Sequence, residues 1–150
     1  MSSRYVGRGA QNVANPTDTV CTLAGRTTSR GWIYYFCLSS AATPADNAIE
    51  WIVQRFATGA GTGTSPAGVP LDDADAVAIN VFTFNHLLEP TYTSAREGFD
   101  NTINMRMTYM FNSCPGGEFV VPAAADAGWG WLPVHSAFSG LVETTIHWYE

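Results

Sequence analysis

Three groups of residues in this 150-residue chain could do chemistry. The first is GAGTGT (59–64), whose glycines at 59, 61 and 63 suggest a phosphate-cradling turn. That use needs a helix directly after the glycines or a Walker lysine. Ser65-Pro66 and Val69-Pro70 follow instead, and the chain contains no lysine. The second group is Asp72, Asp73 and Asp75, whose oxygens suit Ca²⁺. The EF-hand spacing fails, with no Gly at the sixth position and no Glu at the twelfth. Capping of a helix start would use the same residues. The third is His86, His135 and His147, which share no close spacing, so each reads as a structural hydrogen-bonder. Asp46 and Glu50 could pair as carboxylates, but TPADN (43–47) reads better as a turn in which the aspartate caps backbone amides. There is no GxSxG nucleophile elbow. The expectation is a protein without catalytic residues, bound metal or cofactor.

Trp129 and Trp131 flank a glycine beside Asp126. On a strand they would share one face. Exposed, they could stack on sugar rings. Buried, they would line the interior, as aromatics at a period of two commonly do.

The elements that would position these residues are strands. No window keeps apolar residues at i, i+3, i+4 and i+7 over three turns, whereas short strand patterns recur. They are CTLAGRT (21–27), GWIYYFCLS (31–39), AIEWIVQRF (48–56), PTYTS (90–94), NTINMRMTYMF (101–111), GEFVVPAA (117–124), WGWLPVHSA (129–137) and LVETTIHWY (141–149). In 101–111, Ile103, Met105, Met107, Tyr109 and Phe111 would share a face. In 141–149, Val142, Thr144, Ile146 and Trp148 would face one way and Glu143, Thr145 and His147 the other. About eight strands separated by turns predict one all-β domain, a single-domain antiparallel β-sandwich of jelly-roll type. The long connection over 58–89 is expected to be functional or to cover something. A helical turn or two is expected within 72–82.

Charge narrows the partners. Hydrophobic residues make up 46% and charged residues 13%, against roughly 25% charged in ordinary domains. A neutral surface is easily desolvated and suits contact with other proteins. The net charge is −6, and all seven basic residues are Arg. Arg4, Arg8, Arg26 and Arg30 fall in the first 30 residues with only Asp18 against them. Residues 1–20 are thus expected to form an extended arm, with Arg4, Tyr5 and Arg8 contacting an acidic partner, and residues 21–150 the sandwich. The acidic bulk disfavours direct nucleic-acid binding. No apolar run approaches the ~20 residues of a membrane helix, and MSSRYVGRG lacks the apolar core of a secretory signal. Three cysteines allow at most one internal disulfide. Cys37 reads as a buried thiol, and pairing of Cys21 with Cys114 is left open.

Several stretches together resemble the small decoration, or cement, proteins encoded near the major capsid gene of tailed bacteriophages. They are ATPADNAIEWIVQRFATGAGTGTSPAGVPLDDADA (42–76), NHLLEPTYT (85–93) and PGGEFVVPAAADAGWGW (115–131). The resemblance implies a β-sandwich or jelly-roll subunit, assembled as a homotrimer on the outer surface of an icosahedral virion. It would be made in the host cytoplasm and clamp neighbouring copies of the major capsid protein. Self-contact would fall on Thr62, Thr64, Pro66, Val69 and Pro70. Two other readings stand beside it. One is a different virion component, a tail or fibre protein or a small jelly-roll coat protein. The other is a carbohydrate-binding β-sandwich module using Trp129 and Trp131.

Overall fold

The computed structural model describes residues 2–14, 18–41, 46, 48–134 and 140–150. Its strands are β1 (Arg4–Val13), β2 (Cys21–Ala24), β3 (Gly31–Ser40), β4 (Ala48–Thr58), β5 (Thr62–Thr64) and β6 (Val69–Pro70). They continue as β7 (Val81–Leu88), β8 (Thr91–Asn104), β9 (Tyr109–Asn112), β10 (Phe119–Val121), β11 (Gly128–Val134) and β12 (Gly140–Tyr149). The pairs are antiparallel and form two six-stranded sheets. The first runs β10-β3-β12-β1-β6, with β9 also on β3; the second runs β5-β7-β2-β11-β4-β8. The all-β sandwich expected from the strand pattern is present. Four strands outside the expected eight, β1, β5, β6 and β7, raise the count to twelve.

The core lies between the sheets and is built on aromatic contacts. Phe36 of β3 meets Phe111 at a ring-centroid distance of 4.7 Å, Phe99 at 5.4 Å and Trp131 at 5.9 Å. Near the other end, Trp148 stacks on Tyr5 at 5.7 Å and on Phe82 at 6.4 Å. The alternation read in the last strand holds: Val142, Thr144, Ile146 and Trp148 are all buried.

Three expectations change. The first 20 residues are not a free arm, because β1 pairs with β12 along its whole length, from Arg4↔Tyr149 to Val13↔Gly140. Two inward positions of β1 are Gly7 and Gly9. A Cβ there would stand 2.7 Å from Phe82 and from Phe84. The glycines are the space those two rings occupy. No helix forms in 72–82. Asp72 instead closes a turn, its side chain accepting from Ala74 N at 3.0 Å and its carbonyl from Asp75 N at 2.9 Å. Finally, 101–111 is not one strand. Asn104 makes the same kind of turn, accepting from Arg106 N through its side chain and from Met107 N through its carbonyl, both at 2.9 Å. The chain thereby leaves the second sheet at β8 and joins the first at β9. Met105 is buried, whereas Met107 is exposed.

The connection after β4 does cover something. Gly68 lies against Trp148, so close that a Cβ would come within 2.6 Å of the indole. The 71–80 segment is clasped by Glu150. Its carboxylate accepts from Ile79 N and Asn80 N at 2.9 Å each, from Trp148 Nε1 at 3.0 Å and from Ser29 Oγ at 3.3 Å.

His86 lies on β7 and is 7% exposed. Its Nε2 is 3.3 Å from Thr22 Oγ1, while Nδ1 has no hydrogen-bond partner. Burial pushes the imidazole below its ordinary pKa, and nearby carbonyls of Leu88 and Thr83 oppose this. A lowered folded pKa means that stability is complete above the unfolded value, about 6.5, and is lost as the pH falls toward the folded value. His147 is shifted the same way, also by desolvation. Urea midpoints should therefore fall between pH 7.5 and 5.5. The His86→Gln variant should flatten that fall, because the buried imidazole no longer has to charge. An unchanged slope in His86→Gln would show that His86 does not carry it.

Candidate interaction face

The outer face of the first sheet carries an aromatic band that the sequence pattern did not expose. In a regular strand Trp32, Tyr34 and Phe36 would share a face. Instead Trp148 pairs with Ile33 and His147 with Tyr35, so Tyr34 is an extra residue in a β-bulge. The bulge shifts the phase of β3. Phe36 turns inward, and Trp32, Tyr34 and Tyr35 lie half-buried on the outside. Trp32 stacks on Tyr149 at 5.3 Å with 12° between the planes. Tyr34 lies 6.0 Å from Tyr149 and 6.0 Å from His147, and Tyr35 meets His147 at 4.9 Å.

Strand register extends the band across the sheet. One row runs Val120, Trp32, Tyr149 and Arg4. Leu71 joins it through its N–H on the Arg4 carbonyl at 2.8 Å. The next runs Asn112, Tyr35, His147, Val6 and Val69. Val69, Leu71 and Ile79 are 47–60% exposed at the β6 edge. The band therefore continues into an apolar rim. Charge is sparse. Arg8, 67% exposed in its side chain, forms a two-pronged pair with Glu143 at 2.8 Å to each oxygen. Desolvation, and then the Glu118 carboxylate, push the Tyr149 hydroxyl up, so it stays a neutral donor at physiological pH. Aromatic rings with few charges are the composition of interface centres.

The expected contact residues divide. Arg4 and Arg8 lie exposed on this face, whereas Tyr5 is 4% exposed and stacks inside on Trp148. Tyr5 is thus a core residue. Val69 and Pro70 form the β6 edge of the same sheet. Thr62 and Thr64 sit on β5 at the edge of the other sheet, and Pro66 is exposed between the two.

The remaining candidates resolve as follows. Trp131 is fully buried against Phe36, and Trp129 packs edge-on to Phe119 at 5.2 Å beneath the Arg55 guanidinium. Trp131 is thus a core residue, whereas Trp129 is half-buried at the border of the core. The glycines that alternate with the tryptophans, Gly128 and Gly130, face the other way. A Cβ at Gly130 would collide with the Tyr92 hydroxyl at 2.1 Å, and one at Gly128 with the Leu23 carbonyl at 2.0 Å. His135 lies outside the described residues. Asp46 accepts from Asn104 Nδ2 at 2.8 Å. Cys21, Cys37 and Cys114 are free thiols; Cys21 is buried, Cys37 only partly so, and Cys114 exposed. Among the described residues, no three His, Cys, Asp or Glu side chains are grouped to share a metal ion.

Comparison with family models, with curated proteins and with solved structures found no match.

Proposed function

We propose that this protein is a structural virion component of the cement type. It decorates the outer surface of a tailed-phage capsid and ties neighbouring major capsid protein subunits together, acting as a homotrimer. The observation that carries the reading is the Trp32–Tyr149 band, continuous with the Val69–Leu71 rim on a charge-poor sheet face. Such a face gains from being desolvated by a partner. Many copies, each with modest contacts, add up through multivalency, so no chemistry is required. The docking element is the sheet face rather than a detachable arm. The resemblance of residues 42–76, 85–93 and 115–131 to cement proteins supplies the identity of the partner.

The test is co-sedimentation with shells assembled from the major capsid protein of the same genome. Wild-type protein should bind to saturation. The Trp32→Ala/Tyr149→Ala variant, folded by circular dichroism, should bind at least about 30-fold more weakly, corresponding to roughly 2 kcal/mol at an interface centre. Unchanged occupancy in the double variant would remove this face from the mechanism. Absence of wild-type binding would remove the function.

A further inference from the structure

The turn at Gly59–Gly61 separates two cavities, of 330 and 170 Å³, that share Ala60, Gly61 and Asp126 as walls. They lie side by side in a trough by the β5 edge of the second sheet, and the larger lobe is at the lower end of the roughly 300–1,000 Å³ of small-ligand sites. The trough lies away from the aromatic face. Glu89 lines the larger lobe, Arg26 the smaller one, and Asp126 both.

Two features of its chemistry narrow what could fit. Arg26 and Asp126 line the same 170 Å³ lobe and are opposite in charge, yet they do not pair with each other. Both residues are exposed, and among the described residues neither side chain has a hydrogen bond or ion pair, so a guanidinium and a carboxylate border one small space without pairing. Asp126 holds that position at φ 57°, a left-handed backbone that non-glycine residues seldom adopt. Glu89 has one carboxylate oxygen committed to the Thr19 N–H, at 3.0 Å, and to the Thr19 hydroxyl. Its other oxygen is left for the lobe. The remaining walls are hydroxyl-bearing or small, with Thr62 and Thr91 beside Ala60 and the 65%-exposed Leu88.

We propose that this trough binds a small saccharide. A vicinal diol donates to a carboxylate and accepts from a guanidinium at once, which matches the unpaired Asp126–Arg26 couple. Threonine hydroxyls can do either. The Ala60 and Leu88 carbon atoms supply the apolar contact for ring C–H groups. A phosphate would meet two carboxylates against one guanidinium, and a metal ion would find only two carboxylates.

The test is titration of ¹⁵N-labelled protein with glucose, galactose, mannose and N-acetylglucosamine and their common disaccharides. At least one should shift the amides of Gly61, Thr62, Thr91 and Asp126 along a saturable curve. Asp126→Gly, which keeps the left-handed backbone accessible, and Arg26→Ala, which removes an unpaired exposed side chain, should fold normally. Each should weaken binding at least tenfold. The inference fails if no sugar gives saturable shifts, if the shifts map to Trp32 and Tyr149, or if both variants bind like wild type. It is independent of capsid binding, which neither variant should alter.

Discussion

Replacing Trp131 by alanine is expected to lower the unfolding free energy by about 4 kcal/mol, near the top of what a single core truncation costs. Trp131 is fully buried on β11 and faces Phe36, the ring around which Phe99, Phe111 and Phe119 also gather. The cavity would open where the two sheets meet, with rigid backbone on both sides, so collapse could recover little of the loss. A domain of this size has roughly 5–15 kcal/mol in total. The variant should therefore lose roughly a quarter or more of its stability, and its urea midpoint should fall in proportion. Trp131→Phe offers a sharper comparison. The Trp131 Nε1 is buried without a hydrogen-bond partner. Phenylalanine removes that unsatisfied donor, which offsets part of the lost volume. Its cost should be about 1–2 kcal/mol. If both variants unfold at the wild-type midpoint, Trp131 does not organise the core.

The second large effect is expected at Glu150. Glu150→Ala should cost about 3 kcal/mol, because three N–H groups and one hydroxyl converge on its carboxylate, and bonds to a charged acceptor are worth about 1.5–3 kcal/mol each before water substitutes for some of them. Glu150→Gln keeps one acceptor oxygen and should lose about half as much. The damage should be directional. Ile79 and Asn80 would be released, so hydrogen exchange should accelerate first over residues 71–80 and only afterwards in β12. Uniform acceleration throughout the sandwich would show that the carboxylate holds no particular segment.

Individual residues show which parts of this architecture the sequence could reveal. In β12 every second residue is buried, and a period of two is visible without knowing the partners. The same rule failed in β3 because one bulged residue, Tyr34, reverses the phase, and nothing in WIYYF marks where the extra residue falls. That single shift hid the aromatic band, while Trp129 and Trp131 keep a regular spacing and pack toward the core. The two turns at Asp72 and Asn104 depend on one side chain accepting from the residue two positions on, chemistry equally available to a helix cap. The first strand went unrecognised because its inward positions, Gly7 and Gly9, are defined by the rings of Phe82 and Phe84, more than 70 positions away in the sequence. The trough at Gly59–Gly61 shows the same limit. Its glycines were legible, but Arg26 and Asp126 reach it from distant parts of the chain.

The pairing of β1 with β12 also sets a timetable. Residues 4–13 leave the ribosome well before residues 140–149, the strand they must lie against. Until that strand emerges, the glycine-lined face of β1 has no edge to bind, and β3 lacks its main neighbour as well. Closing contacts across so long a stretch of chain makes folding slow. The first sheet therefore closes only once residues 140–149 have emerged. In the meantime the Trp32 and Tyr34 rings are exposed to whatever else is nascent nearby.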